Sequence, residues 1–234
     1  MVKQELIQRS PVRIFEQSIK GGLKTGEIGI IASPNGIGKT SVLVQIALDK
    51  LLQAQKVIHV SFTQHNDYVL AWYENIFEEF IKKQDVENLS EVKDDLVKNR
   101  VLMHFNQAGM SGDQVLRSLK AMIQEGGFKA ESLIIDGFDF AQTNHEYMAK
   151  VKAFARDLGL SIWYSCNFLE RASSYTAQKI PVIIKDCLDL VEVVIVLEPK
   201  TDHIALSVSK DRDAYNLEAL ALRLDPRTLL ILEG

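Results

Sequence analysis

The sequence predicts an α/β fold, a mostly parallel, twisted sheet with flanking helices and antiparallel strands toward the C-terminal end. Three observations carry that expectation. Short apolar runs alternate with amphipathic segments along most of the chain, the pattern of strands joined by crossover helices. A glycine-containing loop, Ser33 to Thr40, stands between the first apolar run and the first amphipathic segment. The last segments change to strict apolar/small-polar alternation, as in a half-buried strand. With 234 residues, of which 47% are hydrophobic and 25% charged, the chain is long enough for one sizeable α/β domain and short for two, so 1–234 reads as one domain.

The elements follow in chain order. The first 20 residues, ahead of Gly21-Gly22, are expected to pack either on the core or on a neighbouring molecule. Glu27 to Ala32 reads as a buried strand. A helix from about Gly38 to Ala54 follows, because Val42, Leu43, Ile46, Ala47 and Leu51 recur at helical spacing. Val57 to Phe62 is the second strand, with helical stretches over about 67–83 and 89–98, and Val101 to Phe105 is the third. Ser111 to Gln124 places Val115, Leu119 and Met122 on one helical side. Ser132 to Asp136 is a fully apolar strand that ends in a carboxylate. Met148, Val151, Ala155 and Leu158 mark another helix, Leu160 to Ser165 the next strand, and Val191 to Leu197 the strand after a polar loop. In the tail Ile204, Leu206 and Val208 alternate with Ala205, Ser207 and Ser209. Ala219 to Leu224 and Thr228 to Leu232 flank Asp225-Pro226-Arg227 as a closing hairpin.

Charge and composition narrow the function classes. Lys and Arg number 27 against 31 Asp and Glu, a net of −4, so no global basic field exists to hold nucleic acid. Apolar runs such as Val191 to Leu197 are far below the roughly 20 residues of a membrane-spanning helix. The segment Met1 to Glu5 is not the apolar stretch of a signal peptide, and a cytoplasmic location is expected. Cys166 and Cys187 lie in apolar surroundings and read as small core residues. His59, His65, His104, His145 and His203 are scattered without the spacing of metal ligands. Trp72 and Tyr73 read as packing groups.

The chemistry concentrates in Ser33-Pro34-Asn35-Gly36-Ile37-Gly38-Lys39-Thr40, placed between strand and helix as a phosphate-binding loop must be. Amide N–H groups of such a loop wrap polyphosphate, and the helix N-terminus adds positive potential. Lys39 is suited to neutralise the outer phosphates and the Thr40 hydroxyl to ligate Mg2+; Ser33 through Ser41 are the expected nucleotide-binding residues. The first position carries Ser33 where glycine is usual. Asp136, delivered at the C-terminal edge of its strand where open α/β sheets bind ligands, is the second expected magnesium ligand. Asp139, three residues on, reads as a turn acid. No guanine-reading Asn-Lys-x-Asp motif is present.

These residues make the chain resemble the RecA-type ATPases, and among them the KaiC-like and DnaB-type helicase cores. The likeness covers most of the chain. It rests on Gly21-Gly22-Leu23-Lys24-Thr25-Gly26-Glu27 leading into the loop, on Val57 to Gln64, on Asp136, and on Lys210-Asp211-Arg212. The resemblance implies ATP as the nucleotide and rings or filaments with nucleotide between subunits. It also implies that Lys210 and Arg212 act in trans as cationic fingers; two residues apart on an extended strand, they would project from the same side. The resembled enzymes place a glutamate at the end of the second strand to polarise the attacking water. Here Thr63 stands at that position, with Gln64 able to position water and Asp67 the nearest carboxylate. Asn167 falls where the resembled helicases carry a γ-phosphate sensor, or is an ordinary strand-end asparagine.

The expected function is therefore Mg-ATP binding that couples nucleotide state to self-assembly or to a protein partner, with hydrolysis slow, partner-stimulated or absent. Two alternatives stand beside it. A nucleic-acid motor would need cations in its central loops, yet 137–146 contains no Lys or Arg, and 167–179 offers Arg171 and Lys179 against Glu170. A non-hydrolysing assembly or signalling module fits Thr63.

Overall fold

Apolar runs of five to seven residues satisfy their backbone groups by pairing with one another and bury both faces under helices. In the computed structural model of the chain, which describes residues 2–82, 89–106, 109–169, 174–215 and 219–233, this produces one ten-stranded sheet. Lys83, expected as the last residue of a helix, and Glu170 and Arg171 lie outside the described residues.

The parallel part consists of β1 (Ile28–Ser33), β2 (Val57–Ser61), β3 (Arg100–His104), β4 (Ser132–Asp136), β5 (Ser161–Asn167) and β6 (Val193–Pro199). They lie in the order β3-β2-β4-β5-β1-β6. The antiparallel part, β7 (Ile204–Asp211), β9 (Ala219–Leu224) and β10 (Ile231–Glu233), extends the sheet beyond β6, with the short β8 (Ala214–Tyr215) on β7. The expected fold class is the observed one.

Period-two alternation divides the strands between two cores. Ile31, Val57, Ile134, Trp163 and Val193 face the layer of α1 (Val2–Gln8), α2 (Pro11–Ser18), α3 (Lys39–Leu52), α4 (Asn66–Lys82) and α5 (Ser90–Lys98). Ile30, Val60, Ile135, Ile162 and Val194 face α6 (Gly112–Gln124), α7 (His145–Leu158) and a 3-10 helix at Val182–Leu190. That 3-10 helix buries Ile184 and Cys187 in the stretch that reads from sequence as a polar loop. Both cysteines are core residues, and burial pushes the Cys166 and Cys187 thiols up to about 12 and about 11.

The N-terminal residues pack on this chain's own core. Leu6, Val12, Phe15 and Ile19 are buried, and α2 is tied to α3 by Arg13, which bonds Asp49, and by Lys50, 2.6 Å from Glu16. One expectation fails in the tail. β7, an interior strand between β6 and β9, is buried along its length with Ser207 half-buried, instead of on one face alone. Among the described residues no helix is long and apolar enough to cross a membrane.

Candidate functional site

The sheet has a switch point at β1. From β1 the chain crosses to β2 through α3 on one face, whereas from β5 it crosses to β6 past the opposite face, the arrangement in which open α/β sheets form a ligand crevice above the C-terminal strand ends. Ser33, Asn167 and Asp136 end β1, β5 and β4 at that edge, and Ser33 is directly opposite Asn167 in the register.

The loop from Ser33 to Lys39 lies at this edge, between β1 and α3. Its crest, Asn35 and Gly36, is exposed, whereas Ser33 and Lys39 are buried. Gly38 has φ +106°, and a Cβ there would stand 2.5 Å from Leu224 Cδ2, so a side chain is excluded both by backbone conformation and by the tail packed against it. α3 starts at Lys39 with no side chain capping its N-terminus. Its first amides therefore face the crevice with the positive end of the helix dipole behind them.

Lys39 folds back over the loop. Its Nζ donates to the Ser33 carbonyl at 3.0 Å, the Ser33 hydroxyl at 3.0 Å and the Pro34 carbonyl at 2.7 Å. Burial lowers its pKa from 10.5 to about 8, against the opposing pull of Asp136. The Thr40 hydroxyl donates to Asp136 Oδ2 at 2.8 Å, bringing two hard oxygen donors together beside the loop. That donor set suits Mg2+, which takes one or two protein oxygens and fills its octahedron with water and phosphate oxygens.

Around Asp136 the neighbouring strand ends are locked together. Ser61 is its register partner on β2, and the Phe62 N–H donates to the Asp136 carbonyl at 2.9 Å. The Ser61 hydroxyl accepts from the Gln64 N–H at 2.9 Å, and Gln64 Oε1 is buried without a hydrogen-bond partner among the described residues. Thr63 is exposed and lies against Gly137, whose φ is +76° and where a Cβ would come within 2.5 Å of Thr63 Oγ1. Asp139 accepts from the Ala141 N–H at 3.0 Å and from Gln142 Nε2 at 2.8 Å, which is turn chemistry.

Behind the site, His59 is fully buried on β2. Its Nδ1 lies 3.1 Å from the Tyr73 hydroxyl, and burial holds its pKa down to about 4. Tyr73 is a core residue. Among the described residues no group of three or more His, Cys, Asp or Glu could hold a metal by itself.

Lys210 and Arg212 are elsewhere. They lie beside Val194 and Glu192, at the opposite, N-terminal edge of the parallel strands from the phosphate loop, and they do not share one side of a strand. Lys210 is buried and donates to the Val191 carbonyl. β7 ends at Asp211, and Arg212 turns away with φ +54° to bond Glu27, Asp211 and the carbonyls of Ile19 and Gly22.

Sequence reading missed the support under the loop. The Ser41 hydroxyl and Gln45 Nε2 both donate to the Leu229 carbonyl, the latter at 2.9 Å, while Gln45 Oε1 accepts from the Ile231 N–H at 2.8 Å. The available signal was a polar stripe, Ser41, Gln45 and Asp49, at four-residue spacing on a largely apolar helix; all three are buried.

No protein-family model matches the chain, and no curated protein matches it. The architecture, an α/β fold with a mostly parallel sheet, is compatible with a RecA-like domain.

Proposed function

We propose that this protein binds Mg-ATP in the crevice above β1 and couples nucleotide state to self-assembly or to a protein partner. The observation that carries this reading is the convergence of Lys39, Thr40 and Asp136, from two separate segments, on one loop whose helix N-terminus is uncapped. In this reading the amides of 36–41 and the Lys39 ammonium cradle the phosphates, and Thr40 with Asp136 hold Mg2+, which supplies charge neutralisation between phosphate oxygens. Lys39 exchanges one of its loop acceptors for a phosphate oxygen as the ligand settles.

Hydrolysis in this reading is slow or depends on a partner. Thr63 cannot take a proton as a carboxylate does, so the amide of Gln64 is left to orient water. A module that binds nucleotide without hydrolysing it is the second reading, favoured by Thr63 and by the engagement of Arg212 within its own chain. A nucleic-acid motor is less well supported, because the 137–146 loop has no Lys or Arg.

Calorimetric titration of Mg-ATP into the wild type and Lys39→Ala tests the reading. The wild type binds and the variant loses at least about tenfold in affinity, the scale of one charge-assisted hydrogen bond. Equal affinities defeat the assignment. Phosphate release measured beside sedimentation with and without Mg-ATP then separates turnover, assembly and binding alone.

A further inference from the structure

Ser33 departs from the usual glycine, and the side chain it introduces meets the one group on which a phosphate loop depends. Ser33 is completely buried at the end of β1. Its hydroxyl donates to the Pro34 carbonyl at 2.9 Å and accepts from Lys39 Nζ at 3.0 Å. An ammonium has three N–H donors, and with the Ser33 and Pro34 carbonyls this hydroxyl makes three acceptors for them. Glycine or alanine at 33 would supply only two.

We propose that Ser33 is a resident competitor for Lys39, holding the lysine in its folded-back pose so that a polyphosphate must displace the hydroxyl to bind. The inference rests on the reading of 33–41 as a phosphate cradle and names the residue that sets its affinity. The two carbonyls belong to the backbone, and Ser33 is held in register with Asn167. The hydroxyl turns about a single side-chain bond, so it is the acceptor that yields. One N–H···O contact to a neutral hydroxyl is exchanged for one to an anionic phosphate oxygen, and no proton changes owner. Lys39 is buried, so without the hydroxyl one of its N–H donors has no protein acceptor and the free lysine is readier for phosphate.

The test is calorimetry on the full chain with Mg-ATP and with Mg-tripolyphosphate, which has phosphates but no nucleoside. Ser33→Ala removes the hydroxyl, and Ser33→Cys keeps nearly its volume with a much weaker acceptor. Both variants are expected to bind both ligands about tenfold tighter than the wild type, the worth of a hydrogen bond to a charged group. A merely structural role for Ser33 weakens binding and lowers the melting temperature, and does not tighten it. Equal or weaker binding by a variant that melts cooperatively overturns the role of Ser33 while leaving the cradle intact. Failure of the wild type to bind either ligand overturns the phosphate reading and this inference with it.

Discussion

The Thr40 hydroxyl donates a 2.8 Å hydrogen bond to Asp136 Oδ2, joining the first turn of α3 to the end of β4 across the intervening β5. The two residues are 96 positions apart, and their side-chain oxygens meet at the edge where the loop opens.

If this pair holds Mg2+, the metal must raise nucleotide affinity through the Asp136 charge. Asp136→Asn keeps an oxygen that can accept from Thr40 but removes the anion. In the wild type, Mg2+ is expected to tighten ATP binding about tenfold or more over chelator, and in Asp136→Asn the two values fall within about twofold. Titrations with Mg2+ and with EDTA provide the comparison; an undiminished metal effect in the variant removes Asp136 from the site.

Affinity for phosphate should also depend on the charge of Lys39. Its pKa is lowered to about 8 by burial, so the cation is present below that pH and is lost above it. ATP binding is therefore expected to weaken as pH rises through about 8, in the wild type and not in Lys39→Ala. The stability effect has the opposite sign: between about 8 and 10.5 the unfolded chain holds the proton that the folded chain has released, so folding becomes more favourable as pH rises through that window.

His59 imposes an acid limit on the fold. Buried and neutral, it has a pKa of about 4 in the folded protein against an ordinary 6.5. Between these values the unfolded state binds more protons, so stability falls as pH drops from about 6.5 toward 4, by up to roughly 1.4 kcal/mol per pH unit. Urea unfolding at a series of pH values measures the slope, and His59→Gln should flatten it by up to one proton. An unchanged slope in the variant assigns the acid sensitivity to other groups.

Arg212 is a structural residue in the isolated chain. Its guanidinium is spread over Glu27, Asp211 and the carbonyls of Ile19 and Gly22, so that it ties the end of β7 to the approach to β1. Arg212→Ala is expected to lose about 2 kcal/mol in urea unfolding, and lysine, with no planar fork, should not restore it. A variant of full stability whose turnover is lost on assembly would instead return Arg212 to a role on a neighbouring molecule.

The central strands could be read from the sequence because each is a nearly unbroken apolar run, and the loop of 33–40 because its glycines and lysine sit between two such elements. What escaped depended on partners distant in the chain. Ile204 to Ser209 alternates as if one face were wet, yet Ala205 and Ser209 are buried as well as Ile204, Leu206 and Val208, in a strand that β9 makes interior to the sheet. Val182–Leu190 follows Pro181 in a polar stretch, and its 3-10 winding lacks the 3.6-residue period. Lys210 and Arg212 read as neighbours on one strand side, yet the strand ends between them in a left-handed turn that no local residue announces. At the site, residue identities were legible; the folded-back pose of Lys39 was not, since it depends on how the loop bends to bring the Ser33 and Pro34 carbonyls to Nζ, and the grip of Leu229 on α3 was not, since its partners are 184 and 188 residues apart.

That grip has a consequence for assembly of the molecule. The Leu229 carbonyl reaches Ser41 from 188 residues farther along the chain, so the helix beneath the loop can wind early but gains its last acceptor only when the whole sheet has closed. Ligand competence is thus a property of the finished sheet and not of its first strand and helix. A fragment that stops short of Leu229 would contain every residue of the motif and leave Ser41 and Gln45 bonded only to each other.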